Sequence, residues 1–204
     1  MQKGIFCLNP QDLKARIDSI PDVGCDFNHR WSLLERLYKD KDSDIFFRYD
    51  EDRMRWIVQE EMDGCVTFHL ERDVITFQRY TDKDMFGLIG LSLVDTSDRG
   101  VLITEGISDY LILKYLYPEY NVLGTTRLTG SNLSKYILIH LFNFVTLFSD
   151  NDAMASRNVG IEASTKLSEF LNSYSIQTNI VVLPTKDILD YVYSSYMLKH
   201  KANE

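Results

Sequence analysis

Cysteine is scarce in this sequence, and the few that occur exclude two classes of small stabilised domain. There are three, Cys7, Cys25 and Cys65, and no C-x-x-C pair. An odd number without paired spacing suggests neither a disulfide framework nor a zinc knuckle. We therefore expect a reducing compartment.

The sequence also lacks a long uninterrupted hydrophobic run. The longest apolar stretch, 136–148, contains His140 and Asn143, and it is shorter than the roughly 18 residues that a membrane span needs. The first ten residues, MQKGIFCLNP, reach Pro10 before the core of a signal peptide can form. These absences predict a cytoplasmic protein, in the host cytoplasm if the chain is phage-encoded, and no membrane partner.

Positive charge is in the minority, with 22 Lys+Arg against 30 Asp+Glu and a formal net charge of −8. This balance argues against tight, non-specific binding of nucleic acid through a broad basic face. It leaves open a local basic groove, or phosphate binding through a metal ion. No short-period repeat is visible, which argues against a solenoid, and no G-x-x-x-x-G-K-[ST] motif occurs, which excludes a fused P-loop helicase.

The first half of the chain has the pattern of a small mixed α+β subdomain, which we assign to residues 1–99. Apolar residues near helical spacing predict helices over 11–20 and 31–39. Runs rich in Phe, Val, Ile and Tyr, separated by acidic or glycine-containing turns, predict strands over 44–49, 54–59, 65–70, 74–80 and 88–94. The turn DTSDRG, residues 95–100, is the predicted domain boundary.

The second half, residues 100–204, alternates between short strands and longer helices. Strands are predicted over 101–104, 120–124, 144–149 and 178–183, and helices over 108–116, 131–142, 155–174 and 188–198. This order predicts a parallel sheet flanked by helices, the α/β class. The strands are almost wholly apolar, as expected when both faces of a sheet are covered.

Acidic residues of the second half follow its predicted strands at their carboxyl ends, where ligands bind in open parallel sheets. Glu105 follows the first strand, Asp150 and Asp152 the third, and Asp187 the fourth. Residues i and i+2 that leave a strand point the same way, so Asp150 and Asp152 can aim at one point. A hard divalent cation, Mg²⁺ or Mn²⁺, would stabilise such repelling carboxylates, and a site of this kind suits phosphoryl transfer.

Each of these acids also has a plain structural interpretation, such as a helix cap or a solvated turn. Their shared position at three strand ends is what favours a functional site. Gly106, directly after Glu105, would let the backbone pass close to a ligand.

Four segments together resemble the Toprim domain, which bacterial and phage DNA primases share with topoisomerases, the 5S ribosomal RNA maturases and the overcoming-lysogenisation nucleases. The segments are VLITEGISDYLIL, VLGTT, VTLFSDNDAMASRNVGIEA and LPTKDILDYV, within residues 100–195. The motifs E-G-x-x-D and D-x-D occur in the expected βα order. The region around Asp152 and the later Lys186-Asp187 are most similar to primase catalytic cores, especially those of phages.

The resemblance implies a role for each matching position. Glu105 matches the motif glutamate, which performs acid–base work or contacts metal, and Asp109 supports it. Asp150 and Asp152 match the metal-binding pair, and Asp187 could hold a second metal ion. Gly124 matches the glycine after the second strand. With it, the candidates for contact with nucleotide or phosphate are Gly106, Arg127, Arg157 and Lys186; Arg157 could instead pair with Asp152.

Two features depart from the primase pattern. Primases usually carry Ala-Gly two and three residues after the aspartate pair, where this chain has Met154 and Ala155. The loss of that glycine would change how closely a phosphate approaches the start of the next helix. The usual D-P-D-E reads Asp187-Ile188-Leu189-Asp190, so only its first acid matches securely.

The implied function is primase-like: metal-dependent synthesis of short RNA primers from ribonucleoside triphosphates on single-stranded DNA. A Toprim nuclease that cleaves DNA or RNA, and a catalytically degenerate adaptor subunit, are the alternatives. No zinc ribbon precedes the domain, so a zinc-bearing partner or a helicase would be another chain. In the first half, Arg72, Arg79, Lys83 and Arg99 could contact a nucleic-acid backbone or form a solvated surface of mixed charge.

Overall fold

The computed structural model describes most of the 204-residue chain. The described residues are 10–26, 29–39, 44–62, 65–73, 79–81, 88–125, 132–152 and 157–201.

The first half forms two helices and an antiparallel meander. Its elements are α1 (Pro10–Asp18), α2 (Arg30–Tyr38), β1 (Ile45–Asp50), β2 (Arg55–Met62), β3 (Cys65–Asp73) and β4 (Arg79–Thr81). The strands pair in the order β1-β2-β3-β4, as short connections between antiparallel neighbours dictate. Leu33, Leu34 and Leu37 of α2 are buried, because their spacing places them on one helix face.

The second half forms a five-stranded sheet with helices on both faces. Its elements are β5 (Leu88–Ile89), β6 (Gly100–Glu105), α3 (Ile107–Leu116), β7 (Val122–Thr125), α4 (Asn132–Leu141), β8 (Phe144–Ser149), α5 (Val159–Ser173), β9 (Gln177–Val182) and α6 (Ile188–Lys201). The strand order is β5-β7-β6-β8-β9. β6 to β9 pair in parallel, and β5 pairs antiparallel to β7. The predicted α/β fold with a flanked parallel sheet is confirmed.

Alternating residues of the parallel strands supply two separate cores. Leu102 and Phe148 face α3, α6 and the first half of the chain, whereas Ile103 and Leu147 face α4 and α5. The first of these cores also contains apolar residues of α1, α2 and β1 to β3. The described residues therefore hold the two halves together through one shared core.

The predicted strand 88–94 is wrong beyond its first two residues. Gly90 has φ 85° and ends β5, and a 3-10 turn follows over Leu91–Leu93. A Cβ on Gly90 would lie 2.6 Å from the Tyr110 ring, so the chain turns where α3 approaches it. β5 nevertheless joins the second-half sheet, although the boundary at residues 99–100, which remains a prediction, places it in the first half.

The predicted helix 155–174 begins later, at Val159. Its N-cap is Asn158, whose side chain accepts the N–H of Ile161. Residues 153–156 and most of the predicted strand 74–80 lie outside the described residues.

In the part of the chain that is described, no helix is long and apolar enough to cross a membrane.

Candidate active site

The turn after β6 places Glu105 at the carboxyl edge of the parallel sheet. Glu105 is the last residue of β6 and pairs with Thr125 of β7. Gly106 follows with φ 95°, a left-handed conformation that favours glycine, and its N–H donates to the Thr125 carbonyl at 2.7 Å. The chain can therefore turn directly from strand to helix beneath Glu105.

Gly124 allows the same turn to pack against β7. A Cβ at this position would lie 2.8 Å from the Tyr110 Cβ and 3.2 Å from the Gly106 carbonyl oxygen. The two predicted glycines, Gly106 and Gly124, are thus adjacent, and close backbone packing explains both. Their contact with a phosphate remains a prediction.

The turn after β8 carries Asp150 and Asp152 and is tied to the turn after β9. The Asn151 backbone N–H donates to the Lys186 carbonyl at 2.6 Å, and its side-chain amide donates to the Leu183 carbonyl at 2.8 Å. Asn158 accepts the Asp152 N–H at 3.2 Å and donates to the Asn151 side-chain oxygen at 2.9 Å. These bonds fix the backbone from which both carboxylates project.

Gly160, at the start of α5, packs directly on this turn. A Cβ there would lie 2.4 Å from the Asp150 carbonyl oxygen. The helix can approach the aspartate turn so closely only because this residue has no side chain. Sequence analysis did not identify Gly160, Asn151 or Asn158, although all three lie in the quoted motif segment and two of them are amides that commonly cap helices.

The electrostatic environment of Asp150 shows that the predicted acids lie near one another. Burial raises the pKa of Asp150 to about 7, helped by the negative charges of Glu105, Asp187 and Asp152, while Lys186 partly opposes the shift. The structure therefore brings carboxylates from three strand ends within electrostatic reach of one another.

Asp109 lies within α3 and is buried beneath this edge. Its Oδ1 accepts the backbone N–H of Leu189 at 3.0 Å, which links α3 to the first turn of α6. Burial and the neighbouring charges of Asp187 and Asp150 raise the pKa of Asp109 well above its usual range, against the opposing effects of the Leu189 N–H and Arg30. This buried position, with its hydrogen bond to the start of α6, suits a residue that supports the acidic edge without contacting a substrate.

Asp187 is buried at the start of α6 and forms an ion pair with the first half of the chain. Nη1 of Arg30, the first residue of α2, donates to its two carboxylate oxygens at 2.9 and 2.7 Å. The same nitrogen donates to Asp190 Oδ1 at 2.6 Å. Arg30 could not be predicted as a partner of Asp187, because no local sequence pattern links residues this far apart in the chain.

Comparisons with known proteins find similarity in structure but not in sequence. No protein-family model and no curated protein matches the chain. Among solved structures, a DnaG catalytic core matches with a TM-score of 0.54 and 19% identity, over 73% of this chain and 51% of that one. A DnaG primase catalytic domain bound to ssDNA matches with a TM-score of 0.54 and 19% identity, over 93% and 62% of the two chains.

A DNA primase domain from Pseudomonas aeruginosa matches with a TM-score of 0.54 and 16% identity, over 76% of this chain and 54% of that one. The chain has the fold of a DnaG primase catalytic core. The predicted resemblance to these Toprim-containing cores is confirmed for the fold. The chain spans between half and two thirds of the length of these primase structures.

Within this primase-core fold, the predicted basic ligands take varied positions. Arg157 is exposed and forms an ion pair with Glu162; its Nε lies 2.6 and 2.8 Å from the two carboxylate oxygens. The alternative partner that the sequence suggested, Asp152, is therefore not the acid with which Arg157 pairs. Lys186 is exposed beside Asp150. Arg127, Met154 and Ala155 lie outside the described residues.

Two of the first-half arginines have structural partners. The Arg72 guanidinium lies 4.8 Å from the centre of the Trp31 ring, and Arg99 donates to the His140 carbonyl at 3.1 Å, at the end of α4. Lys83 and the side chain of Arg79 are outside the described part of the chain. Contact of these residues with nucleic acid remains a prediction.

The acidic edge has the donor atoms for a hard cation but not a closed coordination shell. In the described ranges, no group of three or more His, Cys, Asp or Glu side chains is arranged so that it could hold a metal ion. Mg²⁺ usually keeps several waters and takes only one or two carboxylates with substrate phosphate, so an open, all-oxygen arrangement fits it. Burial is the main cause of the raised pKa of Asp150, and a cation would relieve the repulsion by neighbouring carboxylates that adds to it.

Proposed function

We propose that this protein performs metal-dependent nucleotidyl transfer, joining ribonucleotides into short primers on a single-stranded DNA template. The observation that carries the proposal is the position of Glu105, Asp150 and Asp152. In a primase-core fold, all three lie at the carboxyl ends of adjacent parallel strands, and burial together with the neighbouring negative charges raises the pKa of Asp150 to about 7.

Asp150, with either Glu105 or Asp152, would hold Mg²⁺ or Mn²⁺, and water and the substrate phosphate would complete its coordination shell. When bound, the ion neutralises charge on the triphosphate and lowers the pKa of the attacking 3′-hydroxyl. The raised pKa of Asp150 means that a cation would have to compete with a proton at neutral pH. Metal binding should therefore strengthen as pH rises through about 7.

The remaining residues would bind and orient the reactants. Glu105 would accept a proton from the attacking hydroxyl, with Asp109 supporting the turn beneath it. Lys186, with Arg127 and Arg157, would contact the negative oxygens of the incoming nucleotide. Template DNA and any zinc-bearing or helicase partner belong to the same proposal.

The decisive experiment incubates the protein with single-stranded DNA, labelled ribonucleoside triphosphates and Mn²⁺ or Mg²⁺. Short oligoribonucleotides support the proposal, shortened DNA or RNA indicates a nuclease, and neither product with no metal binding indicates an adaptor. Asp150→Asn should reduce primer synthesis at least about 100-fold, the lower end of what a positioned catalytic group contributes. Asp52→Asn, which changes an exposed turn residue, is the matched control. Full activity in Asp150→Asn would refute the assigned site.

A further inference from the structure

Arg30 brings a positive charge from the first half of the chain to the acidic edge. It is the first residue of α2, and its Nη1 lies 2.7 Å from Asp187 Oδ2 and 2.6 Å from Asp190 Oδ1. One guanidinium nitrogen therefore bridges two carboxylates that are three residues apart, one just before α6 and one in its first turn. Without Arg30, the carboxylates of Asp187 and Asp190 would require another cation.

Burial makes this partner necessary. The Asp187 side chain is only 6% exposed, and Arg30 itself is 24% exposed. A buried carboxylate without a counterion carries a large desolvation penalty. Burial lowers the pKa of Arg30, but its hydrogen bonds and ion pairs with Asp187 and Asp190 outweigh that effect and raise it, so the guanidinium remains charged.

Asp187 also has a second structural task. Its Oδ1 accepts the backbone N–H of Asp190 at 2.8 Å, which satisfies a free donor at the start of α6. Both carboxylate oxygens are thus engaged by protein donors. Asp150, by contrast, is surrounded by the charges of other acids, with the exposed Lys186 as its opposing charge.

We infer that Arg30 takes the place of a second divalent cation, so that Asp187 serves as a helix cap and the acidic edge binds a single ion, on the side of Asp150. Arg30 is then a positioning residue. It fixes the start of α6, whose Leu189 N–H in turn holds Asp109. The inference rests on the proposed function in one respect, the ability of the acidic edge to bind a divalent ion.

The test is a Mn²⁺ titration of the full chain, followed by electron paramagnetic resonance and calorimetry. The natural protein should bind one ion. Arg30→Gln should bind two, because it leaves the carboxylates of Asp187 and Asp190 without their cation, and Mn²⁺ should raise its melting temperature more than that of the natural protein. Arg30→Lys keeps the charge and should restore binding of a single ion.

Arg36→Gln is the matched control, because it removes an arginine from the same helix whose ion pair is with the exposed Asp26. It should leave the number of bound ions at one. If Arg30→Gln does not fold, Asp187→Asn gives the answer. This variant should change Mn²⁺ affinity less than about threefold, since the lost charge was already paired, whereas removing a true ligand or its support costs roughly tenfold or more.

The outcomes separate this inference from the proposed function. Two ions in the natural protein, one of them lost in Asp187→Asn, would overturn the inference and leave primer synthesis possible. No ion in the natural protein but one in Arg30→Gln would support the role of Arg30 and remove the proposed metal chemistry. No Mn²⁺ binding by either protein would overturn both.

Discussion

At the scale of single residues, Asp150 differs strongly from an ordinary surface acid. Burial and three nearby carboxylates raise its pKa to about 7, whereas a free aspartate titrates near 4. Between about pH 4 and about pH 7 the folded protein holds a proton that the unfolded chain has released. When it is ionised, the Asp150 carboxylate therefore destabilises the folded state. A residue that served only to form the turn would not require such a cost.

The first prediction concerns this pH dependence. Without metal, the contribution of Asp150 to the free energy of unfolding should fall as pH rises from about 4 to about 7 and stay constant above, because the folded state binds the extra proton only in that interval. Asp150→Asn removes the repulsion, so it should match the natural protein near pH 4 and exceed its stability by about 1–2 kcal/mol at pH 8. Urea unfolding in EDTA measures both values. A difference that does not change with pH would contradict the prediction.

The second prediction concerns Gly160. Gly160→Ala should lower the free energy of unfolding by about 1–3 kcal/mol, because the new methyl group overlaps the backbone of Asp150, which cannot rotate away as a side chain would. Chemical denaturation measures the loss. Gly100→Ala is the control, since the nearest heavy atom to its Cβ is a side-chain oxygen of Asp98 at 3.5 Å. Equal effects of the two substitutions would show that the overlap is relieved without strain.

At the scale of elements, strands and helices with a clear hydrophobic period were predicted well, and those set by distant contacts were not. The strand 144–149 was predicted with its observed bounds as β8, because an apolar run ends at a polar turn. The end of β5 was missed because Gly90 turns the chain under Tyr110, and α5 begins late because Asn158 caps it. The proximity of Glu105, Asp150, Asp152 and Asp187 could be predicted from their order after the strands, whereas their roles remain predictions. Arg30 could not, since only tertiary folding brings it there.

The third prediction tests the Asn158 cap. Asn158→Ala should cost about 1–2 kcal/mol, because it leaves the N–H groups of Ile161 and Asp152 without an acceptor. The amides of both residues should also exchange faster with deuterium. Asn158→Ser, which keeps a capping oxygen, should recover most of the stability. Unchanged exchange at Asp152 would show that the cap serves the helix alone.

At the scale of the whole molecule, one core joins the two halves. Trp31 is fully buried in α2 and lies near Phe47 and Trp56, and Tyr38 donates its hydroxyl to the Leu111 carbonyl at 2.8 Å. Helix α3 is buried along nearly its whole length between the sheet and this core. The halves therefore stabilise each other although their sequence patterns differ.

The fourth prediction is a single unfolding transition. Both tryptophans of the sequence lie in the first half, so their fluorescence reports on that half, while far-ultraviolet circular dichroism is dominated by the helices of the second. The two signals should change at the same urea concentration. Tyr38→Phe should shift both midpoints equally, at a cost of about 1 kcal/mol for the lost hydrogen bond. Two separate transitions would mean that the halves fold independently.

The burial of α3 also limits how the chain can be shortened. A fragment cut at the turn before β6 would keep every acid of the site but lose Arg30, the partner of Asp187. It would also expose the apolar sides of α3 and α6 to water. Apolar surfaces that are exposed to water in this way promote aggregation. Truncations made for crystallisation or for a split reporter should therefore retain α1 and α2, even where only the sheet and its acidic edge are of interest.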